Sequence, residues 1–402
     1  MNVTISKGVA RGEICAPPSK SMAHRLLICA AMAQGCSTVR GISDCEDVRA
    51  TLDCLSALGI SYEICGNDVT VNGKAPCDMA PTEPLKCRES GSTLRFMIPI
   101  AMMSDHTAIF YGAEGLMSRP MSVYETLFRE RGLTYIADGG SIVVRGPIKG
   151  GVFSVPGNVS SQFISGLLFA LPSAKIDSKI KIAPPIESRS YIDLTIDALK
   201  KFGVNVSWQD EYTLTVKGNQ AFQPADVTIE GDYSGAAFPE SLNLFGGDVR
   251  ISGLNPDSIQ GDRVYKKYYE MLRNGTPNIH IGDCPDLGPI LFAVAAAKHG
   301  GIFTGTKRLK IKESDRAAAM ADELKKFGTS VSVYEDTVVI YPKDFHAPAT
   351  PLSGHNDHRI VMSLSVLLTL TGGNIEGAEA VSKSYPAFFE GLSLLGIEVA
   401  VS

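Results

Sequence analysis

One kind of segment recurs about six times in this chain, at intervals of roughly 50–75 residues. Each copy opens with small and polar residues, runs into an apolar helix, and then meets a β-rich stretch containing Gly. A second helix follows and closes on Gly. The closing signatures are Ala57-Leu58-Gly59, Glu130-Arg131-Gly132, Lys201-Phe202-Gly203, Arg273-Asn274-Gly275, Lys326-Phe327-Gly328 and Leu394-Leu395-Gly396. Glycine suits the left-handed residue just beyond a helix end. Ser141-Ile142-Val143-Val144 and the alternating Ser330-Val331-Ser332-Val333-Tyr334 read as strands. Helices alternating with strands in this way predict an α/β protein.

The repeat count divides the chain. Three copies end near Val216 and three begin near Glu230, with no Gly/Ser linker or charge run between them. Residues 2–14 precede the first copy and read as one strand without a partner there. That strand is expected to pair with the C-terminal half, which makes the chain cross twice. At 402 residues a single core has also stopped growing, so two domains are expected on length. They are placed at residues 1–16 plus 230–402 and at residues 17–229.

Hydrophobic residues make up 44% of the chain, enough for sizeable cores, which excludes disorder as the main state. The net charge of −5 argues against a nucleic-acid partner, so any anionic ligand must be caught by a local concentration of Arg and Lys. The first ten residues have no apolar stretch of the signal-peptide kind. The richest apolar runs, 26–33 and 290–297, fall short of the roughly 18 residues that cross a bilayer and read as buried helices. The nine cysteines include no Cys-x-x-Cys, which argues against a zinc ribbon or a thioredoxin-type site. They read as reduced, buried thiols of a cytoplasmic protein.

The openings of the copies carry the chemistry. They are Pro18-Ser19-Lys20-Ser21, Glu89-Ser90-Gly91-Ser92-Thr93, Asn158-Val159-Ser160-Ser161-Gln162, Gly231-Asp232-Tyr233-Ser234-Gly235, Cys284-Pro285-Asp286 and His355-Asn356-Asp357-His358-Arg359. Taken singly, each is a capped helix start. Taken together, several with Arg or Lys beside them, they read as anion sites, because helix N-termini offer free N–H groups and a partial positive charge. Lys20 and Arg25 are either solvated residues of a capped helix over 22–33 or a clamp on phosphate or carboxylate. Gly91 to Arg95 repeats the choice, and it is not a Walker A loop. Arg119-Pro120 says little alone.

In Lys312-Glu313-Ser314-Asp315-Arg316, ahead of a helix over 317–327, Asp315 or Glu313 is a cap, or an acid beside two cations serves as proton donor. Asp286 is a cap for a helix over 287–297 or a general base. His358, with Asp357 and His355 near it, lacks the further ligands of a metal site. Lys383-Ser384-Tyr385-Pro386 reads as a helix start. No nucleophile elbow, dinucleotide fingerprint or hydrolase triad order is present.

Across essentially the whole chain these segments resemble the 5-enolpyruvylshikimate-3-phosphate synthase family. The resemblance rests on the ordered set: Pro18 to Ser21 with Arg25, Glu89 to Arg95, Arg119-Pro120, Ser160-Ser161-Gln162, Ser188 with Tyr191, Asp286, Lys312 to Arg316, Asn356 to Arg359, and Lys383. It implies two similar domains of three βαβαββ units each, of the inside-out α/β barrel type, with a ligand cleft between them that closes on its substrates. It implies addition–elimination chemistry on phosphoenolpyruvate and shikimate 3-phosphate, on the route to chorismate and the aromatic amino acids. No metal, organic cofactor, nucleic acid or membrane is implied, and the chain is expected to be a monomer.

The resemblance places shikimate 3-phosphate on Lys20, Ser21, Arg25, Ser160, Ser161, Gln162, Ser188, Tyr191, Asp286 and Lys312. It places phosphoenolpyruvate on Lys20, Gly91, Arg119, Gln162, Arg316, Arg359 and Lys383. Asp286 is implied as base for the 5-hydroxyl and Glu313 as proton donor to the methylene, with Lys20 and Lys383 assisting. Glu89 and Arg308 depart from the family pattern, which often has Asn at both. Gly91 keeps the space in which the family binds glyphosate. Two other readings remain. An enolpyruvyl transferase acting on UDP-N-acetylglucosamine is disfavoured because the loop from Ala113 to Arg119 has no Cys. A non-catalytic anion binder need not keep Lys20, Asp286, Glu313 and Lys383 together.

Overall fold

In five of the six recurring segments the strands form one four-stranded pattern, a parallel pair followed by two antiparallel strands. Leu85–Lys86, Thr107–Tyr111, Ser141–Arg145 and Thr134–Ala137 show it in sheet order. Gly151–Pro156, Ser178–Ala183, Thr213–Val216 and Val206–Asp210 repeat it, as do Asn278–His280, Gly301–Thr304, Thr337–Tyr341 and Ser330–Val333. The computed structural model describes residues 1–341 and 343–402. They divide into two units, Met1–Pro17 with Gly231–Ser402, and Pro18–Glu230.

Two segments are completed by distant strands. The first takes Asp226–Thr228, parallel to Gly35–Arg40. The last takes Asn2–Ile5, antiparallel to both Gly373–Glu376 and Val399–Val401, with Val3 opposite Ile375 and Val401. The single strand expected over 2–14 is therefore two strands. Arg11–Cys15 leaves that sheet and runs parallel to Asp248–Ser252. Both partners lie in the C-terminal half, and the chain must turn between strands that serve different sheets.

The segment built on Arg11–Cys15 and Asp248–Ser252 has only this strand pair. After the helix Tyr265–Asn274 the chain passes directly to Asn278–His280, without a hairpin. Gly275 consequently makes no left-handed turn; its φ of 168° is ordinary extended backbone. The other closing glycines are left-handed, from 65° at Gly132 to 84° at Gly328.

The two helices of a segment differ in burial. The first, as in Gly91–Ala101, Ser161–Ala170 or Gly288–Ala297, is buried nearly all round, which explains runs such as Ile290-Leu291-Phe292-Ala293-Val294. The second buries one face: Tyr124, Leu127 and Phe128 in Ser122–Arg129, or Tyr265, Tyr269 and Leu272 in Tyr265–Asn274. On an all-round buried helix a polar side chain stands at an end or needs a partner inside, as Ser165 has in Thr195 Oγ1 at 2.7 Å. Close packing then fixes those ends. A Cβ on Gly166 would lie 2.2 Å from the Tyr124 hydroxyl and 2.4 Å from the Arg95 carbonyl. Only glycine lets Ser161–Ala170 approach Gly91–Ala101 so nearly.

Among the described residues no disulfide is present, and Cys29, Cys45, Cys54, Cys87 and Cys284 are buried. Cys15, Cys36, Cys65 and Cys77 are exposed, which corrects the expectation that all are buried.

Candidate active site

In the unit Pro18–Glu230, several candidate residues stand at the starts of the buried helices. Ser19 caps Lys20–Met32, accepting from the Met22 amide at 3.4 Å, and Ser90 caps Gly91–Ala101 in the same way through Thr93. Ser160 caps Ser161–Ala170 through Gln162. These residues are caps, and they also bring polar groups together. Gln162 donates from Nε2 to Ser92 Oγ at 2.9 Å, and its Oε1 accepts from Arg95 Nη1 at 2.7 Å. Lys20 Nζ bonds Asp47 Oδ2 at 2.6 Å.

Arg25 is 2% exposed, so it is not the solvated residue of a plain helix start. It donates to the Ser21 carbonyl at 2.6 Å, the Tyr191 carbonyl at 2.9 Å and Thr195 Oγ1 at 2.9 Å. Its guanidinium lies 5.2 Å from the centre of the Phe96 ring. No carboxylate among the described residues pairs with it. Burial pulls its pKa down to about 10, so this charge sits desolvated without an anion. Arg119 reinforces the picture. Its Nε is buried without a hydrogen-bond partner. A Cβ built on Gly91 would find Arg119 Nη1 at 3.0 Å and Arg95 Nη1 at 3.1 Å. Two like charges thus reach one point beside a residue with no side chain. An anion there gains from both. Ser188 is buried and left-handed (φ 57°) at the start of Arg189–Lys201, and its side chain does not cap that helix.

His24 lies between these cations. Its Nδ1 is 2.7 Å from Thr51 Oγ1, and Nε2 has no partner. Burial, then Lys20 and Arg25, hold its pKa well below the ordinary 6.5. The folded protein keeps His24 neutral while the unfolded chain protonates it below 6.5. Its contribution is complete above 6.5 and is lost as pH falls below that value. The slope is about 1.4 kcal/mol per pH unit until the folded pKa is reached. Urea unfolding at pH 7 and pH 5 tests this: His24→Asn should lose less stability than the parent. Equal losses would refute it.

In the unit Met1–Pro17 with Gly231–Ser402, acids and cations form one buried network. Asp357 is fully buried. Its Oδ1 caps His358–Thr371 through the Arg359 amide at 2.9 Å, and its Oδ2 accepts from Arg316 Nε at 2.8 Å and Ser314 Oγ at 3.1 Å. Arg316 also donates from Nη1 to Asp286 Oδ1 at 2.9 Å and from Nη2 to Glu313 Oε2 at 2.7 Å. Lys312 Nζ reaches Asp286 Oδ1 at 3.2 Å. Arg359 Nη2 donates to Asp286 Oδ2 at 2.9 Å and to Ser234 Oγ at 3.1 Å. Lys383 Nζ donates to the Asn356 carbonyl at 2.6 Å and to its Oδ1 at 2.8 Å.

The electrostatics follow from this packing. Burial pulls Arg316 down, but Asp357, Glu313 and Asp286 override it and hold the guanidinium above its ordinary value. For Lys312 the balance runs the other way. Burial, with Arg316 and Arg308 behind it, outweighs Asp286 and lowers its pKa. Arg308 thus acts on Lys312. Glu89 is half-buried next to the Ser90 cap.

Three readings of the helix starts change. Asp286 is not a cap. It lies in the 3₁₀ turn Pro285–Leu287, and its carboxylate is taken by three cations. Asp315 caps Arg316–Lys326, which leaves Glu313 to Arg316. Lys383 ends the 3₁₀ helix Ala378–Lys383 instead of starting a helix, because the next helix begins at Phe388. Ser92, Ser234 and Asp357 lie in the helix openings read from the sequence but outside the residues that the resemblance assigns to substrate. Asp47, which holds Lys20, has no such signal.

Residues 6–392 match the family model for EPSP synthase (3-phosphoshikimate 1-carboxyvinyltransferase). A 3-phosphoshikimate 1-carboxyvinyltransferase of Clostridium kluyveri is 38% identical over 419 residues, covering 99% of this chain and 98% of its own. One of Clostridium acetobutylicum is also 38% identical, with the same coverage. A solved structure of EPSP synthase from Acinetobacter baumannii superposes with a TM-score of 0.78 at 26% identity, over the full length of both chains. With a family model spanning nearly all of it and relatives of this identity along its whole length, the chain belongs to the EPSP synthase family.

Proposed function

We propose that the groups described above carry out the family's reaction in named roles. The chain transfers the enolpyruvyl group of phosphoenolpyruvate to the 5-hydroxyl of shikimate 3-phosphate. The products are 5-enolpyruvylshikimate 3-phosphate and phosphate, within the shikimate pathway to aromatic compounds. Asp286 takes the proton of the 5-hydroxyl as its oxygen attacks the enol carbon, and Glu313 gives a proton to the methylene. In the second step Glu313 takes a proton back from the methyl group, the double bond re-forms, and phosphate leaves with the proton that Asp286 had taken. The observation that carries these roles is that one guanidinium, Arg316, holds both acids, at 2.9 and 2.7 Å. Two proton carriers with separate tasks are thereby fixed to one cation, which itself stabilises the developing charge.

Shikimate 3-phosphate is assigned to Lys20, Ser21, Arg25, Ser160, Ser161, Gln162, Ser188, Tyr191, Asp286 and Lys312. Phosphoenolpyruvate is assigned to Lys20, Gly91, Arg119, Gln162, Arg316, Arg359 and Lys383. Support comes from the buried Arg25 without a carboxylate and from the two guanidiniums beside Gly91. Most of the other cations already rest on an acid or a carbonyl, so an incoming anion exchanges with that partner. The test is phosphate release from phosphoenolpyruvate, with shikimate 3-phosphate or with UDP-N-acetylglucosamine as acceptor. Release with the first alone is expected. Release with neither overturns the reading.

Gly91→Ala is expected to raise the KM for phosphoenolpyruvate about ten-fold with the fold intact, because the methyl pushes two flexible guanidinium ends by a few tenths of an ångström. Steady-state kinetics beside a thermal melt would show it. Glyphosate is expected to compete with phosphoenolpyruvate in that space, and indifference to a large excess would remove this point. The reading also takes the chain as a cytoplasmic monomer acting on small molecules only. Among the described residues no helix is long and apolar enough to cross a membrane.

A further inference from the structure

Glu323 lies in the helix Arg316–Lys326 and is only 2% exposed, yet no role above uses it. Its carboxylate holds three groups. Oε2 accepts from the Ser353 amide at 3.0 Å. Lys326 Nζ donates to both oxygens, at 2.9 and 3.1 Å. His355 Nε2 lies 3.0 Å from Oε1. A carboxylate oxygen only accepts, so Nε2 carries the hydrogen in this pair.

The loop that Glu323 grips is strained. His355 and Asn356 both have left-handed backbones, with φ of 48° and 52°. Two successive non-glycine residues persist there only where their surroundings over-determine them. The next groups along are those of the site. Asn356 accepts twice from Lys383 Nζ, and Asp357 accepts from Arg316. Arg316 and Glu323 are seven residues apart on one helix, so they share a face. That face holds residues 353–357 at both ends, Glu323 at one and Arg316 at the other.

We propose that Glu323, acting through His355, is a positioning residue that sets the strained loop and so places Lys383 and Arg316 for phosphoenolpyruvate. The inference rests on the roles proposed above for those two cations. Glu323→Gln keeps the shape but replaces one acceptor oxygen with a donor. His355→Ala breaks the same link from a side chain that is 30% exposed, where folding is less at risk.

The test is steady-state kinetics of the full chain with each substrate varied in turn, together with thermal melts. Both variants are expected to raise the KM for phosphoenolpyruvate about ten-fold, the equivalent of one lost buried hydrogen bond. The KM for shikimate 3-phosphate should stay within about two-fold. A merely structural role would lower the melting midpoint and leave both KM values in place. If Glu323→Gln does not fold, His355→Ala decides alone. A folded variant whose KM for phosphoenolpyruvate is unchanged, or whose two KM values rise equally, overturns the positioning role. An inactive parent chain overturns the assigned reaction and this inference with it. An active parent with unaltered variants overturns the inference alone.

Discussion

Glu313→Gln is expected to lower kcat by a factor of about 10²–10⁴ while both KM values stay within about three-fold, the signature of a lost proton carrier. The structure makes this substitution a clean one. Glu313 is an acceptor for Arg316 Nη2 at 2.7 Å, and the amide oxygen of Gln can take that bond without moving the guanidinium. Asp286→Asn should lower turnover as strongly, but with a second effect. The two Asp286 oxygens accept from Arg316, Lys312 and Arg359, and an amide nitrogen in place of either oxygen would face a cation. A rise in the KM for phosphoenolpyruvate should therefore accompany the fall in kcat for Asp286→Asn and be absent for Glu313→Gln. Steady-state kinetics with each substrate varied, beside a thermal melt, would separate the two. Near-normal turnover in either variant would remove that residue from its role.

The contrast between these residues also shows how far the sequence could be read. Periodicity and closing glycines located the repeats, because a left-handed helix end leaves few alternatives to glycine. The same pattern hid the incomplete fourth segment, although the shorter spacing from Gly275 to Gly328 records its missing hairpin. Residues 2–14 read as one strand although Ser6-Lys7-Gly8 interrupts them; which sheet each part joins is decided by strands more than two hundred residues away. In the site, Ser19, Ser90, Ser160 and Asp357 were legible as caps, a local property. That Asp286 is not a cap depends on two cations from later in its own segment and a third from the next, which no local pattern encodes. Asp47 is invisible for the same reason: nothing near it in sequence points to Lys20. Arg25 is the opposite case. Its residue type invited either reading, and burial without a carboxylate separates them.

Asp357→Ala is expected to destabilise its unit by about 3 kcal/mol, the lower end of what breaking a buried ion pair costs. The reasoning turns on what remains. Arg316 is 1% exposed and Asp357 is fully buried, so their bond at 2.8 Å is screened by no solvent. Arg316 nonetheless keeps Asp286 and Glu313, so the variant leaves a buried cation with two acids instead of three, not with none. Alanine also removes the cap on His358–Thr371, worth about 1 kcal/mol. Asp357→Asn separates the contributions. Its amide oxygen still caps the helix, while its nitrogen turns a donor toward Arg316 or Ser314. Urea unfolding should rank the parent above both variants. Asn should recover no more than the cap if the ion pair dominates. Full recovery in Asp357→Asn would mean that the cap, and not the charge, is what Asp357 contributes. Turnover adds a second reading. With Asp357 gone, Arg316 is held only by the two acids proposed to carry the protons, and kcat should fall in both variants. An unchanged kcat would mean that Asp286 and Glu313 alone suffice to fix Arg316.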